Sequence, residues 1–340
     1  MSISGNLARQ NNCQLSPDAL RNPIQTAVLT NAKTFAVQTH PRPLCGPDDL
    51  LVHLEGCGVC ASNLPVWEGR EWFTYPLEAG APGHEGWGRI VEVGENVEHL
   101  QVGQRVACLG ANAFAEYVAV SAQQVAVLPD SLETIPFPGE AIGCAMNIFR
   151  RADIHKDHTV AIIGAGFLGL LLVQLAVDAG ARVLVVSRRK SVRDLALGYG
   201  ASAAFDSEDW WGNAQQIVAL TEGRGCDRVV EVTGMQFALD MATEMIAEYG
   251  KLIIGGYHQD DLRHVNMQKW NWKAIDVINA HERDPHKYVQ GMEEGVIATE
   301  QGRIRPQDLL THRFRLDQLD DAFQMMVDRP DGFIKGWIRL

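Results

Sequence analysis

Three short segments carry side chains able to bind a metal ion or move a proton: Gly58-Val59-Cys60-Ala61-Ser62, Gly83-His84-Glu85 and Gly139-Glu140. Thiolate, imidazole and carboxylate are all accepted by Zn2+, and a catalytic zinc takes three protein ligands while leaving one position for water or substrate. Cys60, His84 and Glu140 offer that donor set, with the Ser62 hydroxyl and the Glu85 carboxylate close by in sequence. Taken singly, each also reads as a small buried thiol, a hydrogen-bonded core histidine or an acidic residue at a helix start. A fourth segment, Gly164-Ala165-Gly166-Phe167-Leu168-Gly169, follows an apolar run and precedes a helical one. There the first glycine permits a tight turn and the second lets backbone approach a pyrophosphate. The third allows close helix-to-strand packing, and the helix opened by Phe167 and Leu168 points its N-terminus at the anion.

The end of the next strand decides which dinucleotide fits. A carboxylate there accepts the ribose 2′-hydroxyl of NAD, but the chain reads Val185-Val186-Ser187-Arg188-Arg189-Lys190. Ser187, 21 residues after Gly166, stands where the acid would be, and three cations follow. A 2′-phosphate is attracted rather than repelled, so Ser187, Arg188 and Arg189 favour NADP(H) over NAD(H).

Positioning these residues requires two kinds of architecture. The N-terminal third reads as short alternating strands between turns: Asp49–Leu54, Gly88–Val93, Gln104–Leu109, Glu116–Val120 and Ala126–Pro129. From His158 the pattern becomes strict strand-helix alternation. Strands are expected at 159–163, 182–187, 203–206, 227–232, 251–255 and 275–279, with a helix over 237–248. Near-continuous Val/Ile/Leu strands joined by helices predict a doubly wound parallel sheet covered on both faces. The expected class is therefore α/β. A β-rich catalytic domain spans residues 1–149 and 286–340, and a Rossmann dinucleotide-binding domain spans 150–285. Val160–Val177 approaches the length of a membrane span but contains three glycines, and reads as a buried strand and helix.

The chain has 340 residues, enough for two cores, and a net charge of −12 with no basic stripe. Nucleic acid and anionic membrane surfaces are poor partners for it, which leaves small molecules. Seven cysteines, an odd number in a chain this long, point to reduced thiols, and Met1–Gln14 lacks the layout of a secretory signal. A cytoplasmic location is expected.

The run Gly56-Cys57-Gly58-Val59-Cys60-Ala61-Ser62, with Gly83-His84-Glu85-Gly86 and Gly103-Gln104-Arg105-Val106 behind it and the glycine fingerprint after, resembles the zinc-containing medium-chain alcohol and polyol dehydrogenases. The resemblance runs from about Thr26 to Leu340 and implies a GroES-like catalytic domain beside the Rossmann domain. It places Cys60 and His84 as the first two zinc ligands, Glu85 as a carboxylate behind the metal, and Ser62 as the hydroxyl that receives the substrate proton. Glu140, 24 residues before Gly164, matches the third ligand of polyol-type members, with Cys144 as its rival. The four-cysteine lobe of a structural zinc is missing between Val106 and Val118, so a single catalytic ion is expected. Asn63 stands where Asp is usual, and the relay histidine is replaced near Pro65. Cys57 reads as structural. Lys335 is a candidate for the cofactor pyrophosphate, an exposed tail cation being the other reading. Val66–Phe73 is expected to wall the substrate pocket, Trp270 and Trp272 a subunit contact in a homodimer or homotetramer. His281-Glu282-Arg283 is open between pocket and partner. The implied activity is hydride transfer between the nicotinamide and an alcohol or carbonyl, with a polyol, cyclitol or sugar-derived substrate. A zinc-free enoyl or quinone reductase and a non-catalytic NADPH sensor share the same fold.

Overall fold

A computed structural model describes residues 22–110 and 112–340; Cys13 and the reading of Met1–Gln14 lie outside the described residues. Among the described residues the first element is a hairpin of β1 (Pro23–Asn31) and β2 (Thr34–Pro41), which lies outside the strands expected from the sequence. β3 (Asp49–Gly58) leads through a 3-10 turn into α1 (Leu64–Glu68). After a long loop come β4 (Glu85–Val93), β5 (Arg105–Cys108), β6 (Tyr117–Ser121) and β7 (Val125–Leu128), then α2 (Gly139–Ala152). Alternating buried residues of β3 and β4, such as Leu50, Val52, Leu54 and Ile90, close on Phe114, Phe323 and Trp67 to form one core.

The second half alternates as its apolar runs predict: β8 (Thr159–Ile163), α3 (Phe167–Asp178), β9 (Arg182–Val186), α4 (Lys190–Gly198), β10 (Ala203–Phe205) and α5 (Trp210–Leu220). β11 (Cys226–Glu231), α6 (Gln236–Met245), β12 (Ile246–Ile254), α7 (Met267–Lys273) and β13 (Asp276–Asn279) follow. The six strands are parallel in the order β10-β9-β8-β11-β12-β13, which is the doubly wound arrangement with its switch point between β8 and β11. The apolar stretch over Val160–Val177 is β8 and α3, both buried, and no described helix is long and apolar enough to cross a membrane.

The helix expected to run to Glu248 stops at Met245. Ile246 turns extended, φ −72° and ψ 140°, and buries its side chain in the sheet core. The strand then carries an irregularity at Tyr249, whose φ is +57°. The chain ends with α8 (Pro285–Glu300), β14 (His312–Arg315), α9 (Leu319–Asp328) and β15 (Gly336–Arg339). β15 pairs antiparallel with β3, Trp337 opposite Gly58, and so extends the seven-stranded N-terminal sheet.

The expected boundary between residues 149 and 150 falls inside α2, which is unbroken. Ala141, Ile142, Ala145, Met146 and Ile148 recur at helical spacing and join one core with α3, the parallel sheet and Met292 and Val296 of α8. Trp87 and Ala107 of the N-terminal sheet join the same core. At the α2–α8 crossing the backbones come close, since a Cβ on Gly295 would lie 2.5 Å from Ile142. This helix pair is a continuous link between the two sheets.

Candidate active site

Strand register brings the first two donors together. In the β3–β4 ladder Gly58 is the partner of Glu85, so Cys60, two residues past Gly58, and His84, one before Glu85, emerge side by side. Cys60 precedes the short 3-10 turn at Ala61–Asn63, and the Ser62 hydroxyl donates to its sulfur at 3.2 Å. His84 donates from Nδ1 to the Pro82 carbonyl at 3.0 Å, which leaves Nε2 for a ligand. Asn63 is buried, and its amide donates to the same carbonyl at 3.0 Å. The residue that stands where Asp is usual therefore fixes the Pro82 backbone that orients the imidazole. The tight group of donor atoms, all within 4.8 Å of one another, belongs to Cys60, His84 and Glu85.

Glu140 comes from the first turn of α2 and stands 3.9 Å from His84 Nε2. One ion at about 2.0–2.2 Å from each atom spans that gap. Cys144, one turn further along α2, donates its thiol to Glu140 Oε1 at 3.4 Å, and the Tyr288 hydroxyl lies 4.0 Å from the Cys144 sulfur. Burial, then the neighbouring Glu140 and Cys60, push the Cys144 thiol far up, so it stays protonated. Burial alone would lower His84, but the Cys60 hydrogen bond and the charges of Cys60, Glu140 and Glu85 outweigh it and push the imidazole up to about 10. Glu140 is raised, by burial first and by Glu85 next. A sulfur, a nitrogen and carboxylate oxygens that together call for positive charge fit a zinc ion.

Glu85 is completely buried, and its charge is already answered. Lys335 Nζ lies 2.8 Å from Oε1 and 2.7 Å from Oε2, and donates also to the Val59 carbonyl at 3.2 Å. Lys335 is thus neither exposed nor a tail cation, but lies beneath the metal donors, 4.9 Å from the Phe167 ring at the glycine turn. A Cβ on Gly58 would sit 1.8 Å from Glu85 Oε2, so the position must be glycine for the carboxylate to fit. No sequence signal distinguished Gly58 from its neighbouring glycines.

The glycine turn sits between β8 and α3 at the switch point. Gly164 has φ +105°, and a Cβ on Gly169 would fall 1.8 Å from the Gly164 carbonyl. At Gly166 a Cβ would meet nothing within 4 Å, so that backbone is open, and it caps α3 with no side chain over the free N–H groups. Leu168 and Ser187 are half-buried and Arg188 is exposed, while the Arg189 guanidinium donates to the Phe333 carbonyl.

Other expectations shift. Trp67 is no pocket wall: it is 2% exposed, stacks on Phe323 at 5.5 Å and donates to Asp320. From the same segment Arg70 reaches across to the Gln259 carbonyl at 3.1 Å and to Asp260 at 3.3 Å. Buried Glu231, which the sequence reading passed over, accepts from Gly234 N–H at 2.8 Å and meets His258 at 2.9 Å, fixing the loop after β11. His281 contacts the Gly256 carbonyl at 3.1 Å. Trp270 donates to Thr243 while Trp272 is 77% exposed.

Residues 46–130 match the alcohol dehydrogenase GroES-like domain and residues 168–295 the zinc-binding dehydrogenase family. A sorbitol dehydrogenase of Halalkalibacterium halodurans is 25% identical over 328 residues, covering 85% of this chain and 91% of that one. A probable zinc-binding alcohol dehydrogenase of Mycobacterium tuberculosis is 30% identical over 273 residues, covering 69% of this chain and 68% of its own. A dehydrogenase of Sinorhizobium meliloti, assigned as zinc-binding and solved with NADP bound, superposes with a TM-score of 0.80 at 25% identity, covering 94% of this chain and 100% of that one.

Proposed function

Because the chain belongs to the zinc-type medium-chain dehydrogenase/reductase family and is an oxidoreductase acting on CH–OH groups, we propose that it exchanges a hydride between NADP(H) and an alcohol/carbonyl pair of polyol, cyclitol or sugar-derived type. The observation that carries this reading is the meeting of Cys60 and His84 at the end of the β3–β4 ladder, with Glu140 facing His84 Nε2 from α2. The polyol class is supported by the sorbitol dehydrogenase relative and by the D-arabinitol dehydrogenase of Uromyces fabae, 24% identical over 330 residues. NADP(H) is supported by Ser187-Arg188-Arg189 and by the NADP-bound neighbour.

Cys60, His84 and Glu140 would hold one zinc ion, whose Lewis acidity lowers the pKa of a bound alcohol and polarises a carbonyl. Glu140 is preferred to Glu85 because Glu85 is ion-paired with Lys335 at 2.7 Å, whereas among the described residues Glu140 has no side-chain cation at ion-pair distance except His84. Ser62, whose hydroxyl donates to the Cys60 sulfur, would accept the alcohol proton at Oγ as its own hydroxyl proton passes on to solvent, with the reverse exchange in reduction. Pro82 and Asn63 hold the imidazole through Nδ1, so that Nε2, once its proton is displaced, would be the atom offered to the metal. The open backbone at Gly166 and the free N–H groups of Phe167 and Leu168 would bind a pyrophosphate, while Lys335, beside that turn, has its charge committed to Glu85. The exposed edge strand β13, carrying Val277 and flanked by Met267 and Trp272 of α7, would be the surface for a second copy of the chain in a homodimer or homotetramer.

The test is a screen of polyols, cyclitols and ketones against NADPH and NADH in parallel, with zinc measured on the same preparation. About one zinc per chain, NADPH-linked turnover and loss of activity on chelation are expected. Turnover of enones or quinones by a protein without zinc would replace this reading with that of a zinc-free reductase.

A further inference from the structure

At the C-terminal end of β9 the chain collects cations that its own acids do not neutralise. Arg193 is paired with Asp206 at 2.6 Å and Lys190 with Asp194 at 2.6 Å. Arg188 and Arg189, beside them, have no carboxylate at ion-pair distance among the described residues. Instead the Arg189 guanidinium donates to the Phe333 carbonyl, in the loop that joins α9 to β15. That contact docks a turn of the β-rich half, closed by Phe333 N–H on the Pro330 carbonyl at 3.1 Å, against the dinucleotide domain. Arg329 stands at the head of this turn, its Nε on the Met326 carbonyl at 3.1 Å, again with no carboxylate at ion-pair distance among the described residues. Asp331 also faces Arg189. Burial, then Arg329 and Arg188, hold Arg189 below its usual value, and burial and Arg188 do the same to Arg329.

Building on the NADP(H) reading of this site, we propose that Arg329 is a specificity-determining residue that completes, with Arg188 and Arg189, a three-arginine clamp for the cofactor's 2′-phosphate across the two domains. A phosphate monoester offers a double negative charge and three acceptor oxygens, which suits guanidinium groups approaching from two sides. Its chemistry differs from that of the pyrophosphate at Gly166, so the clamp discriminates between cofactors rather than adding to both. Because Arg329 and the turn it heads belong to the β-rich half, a 2′-phosphate draws that half onto the dinucleotide domain, and NADP(H) closes the cleft more firmly than NAD(H) does.

Backbone geometry supplies a clean variant. Arg329 caps α9 in the left-handed region, φ +46° and ψ 58°, a conformation that glycine adopts without strain. Arg329→Gly is therefore expected to fold with an unchanged or higher melting temperature. Affinities for NADPH, NADH, 2′,5′-ADP and AMP are measured by fluorescence quenching and calorimetry on wild type, Arg329→Gly and Arg188→Ala. The expected result is that Arg329→Gly binds NADPH and 2′,5′-ADP about tenfold more weakly or worse, as loss of one charge-assisted contact dictates, with NADH and AMP unchanged. If Arg329→Gly keeps wild-type NADPH affinity while Arg188→Ala loses it, the clamp lacks Arg329 and the NADP(H) reading survives. Equal weakening toward NADPH and NADH overturns the inference as well. A wild type that binds both cofactors alike removes the NADP(H) reading and the clamp together.

Discussion

Replacing Lys335 by methionine tests the ion pair beneath the proposed metal donors most directly. Glu85 is 0% exposed and Lys335 6% exposed, with both carboxylate oxygens within 2.8 Å of the ammonium. Removing one partner strands a buried charge, which costs about 3–5 kcal/mol. Unfolding entropy of about 2.1 cal/mol/K per residue, taken over the whole chain, converts that into a fall of about 4–7 °C in Tm. Scanning calorimetry of the metal-stripped protein reads the change without interference from zinc. The double variant Glu85→Gln/Lys335→Met, which removes the charge as well as its partner, is expected to recover at least half of the loss. The pH dependence has a definite sign: burial would lower the Lys335 pKa, but Glu85 outweighs it and raises it. A raised lysine contributes stability that is complete below its unfolded value of about 10.4 and is lost only as pH climbs through the folded one. The gap between wild type and Lys335→Met should stay constant from about pH 7 to 9.5 and narrow only as pH climbs past about 10.4. A single variant that melts within about 1 °C of wild type would refute the claim that this pair is both buried and mutually dependent.

Three further outcomes follow from the same geometry. Gly58→Ala places a Cβ 1.8 Å from Glu85 Oε2, so urea unfolding should show a loss of about 1–3 kcal/mol and the purified protein should carry less zinc. Wild-type stability in that variant would mean the carboxylate has other room. In the metal-free chain His84 is pushed up to about 10, so zinc uptake at neutral pH must displace its proton. Calorimetry in buffers of different ionisation enthalpy should find at least one proton released per ion, and none released would place the metal elsewhere. Ser62→Ala should lower kcat by about 100-fold or more with zinc content unchanged. A loss below about threefold removes Ser62 from the proton path.

Much of this arrangement was readable in the chain. The parallel sheet announced itself because buried strands such as Thr-Val-Ala-Ile-Ile at 159–163 have no polar alternation, and the glycine turn follows one of them directly. Cys60 and His84 were found by residue type and motif, but what unites them is the register of β3 on β4, and pairing is set by turns and by both faces of a sheet. The partner of Lys335 lies 250 residues away, a distance no local pattern encodes. The Trp67 error has a similar origin: an indole reads equally as pocket wall or core, and only Phe323, far along the chain, decided it. The hairpin of β1 and β2 carries no such signal because β2 leaves every one of its residues exposed or half-buried and so lacks an apolar signature.

The parentage of α2 has a consequence for how tenaciously the ion is retained. Two of its proposed holders grow from one sheet, while the third rides on a helix whose flank is cemented to α3 and α8 beside the other sheet. The first turn of that helix also rests on the sheet of the other two, a Cβ on Gly139 lying 2.5 Å from Ala107, so a parting of the halves would loosen the ion only if it shifted α2 on that sheet, and occupancy would then gauge posture.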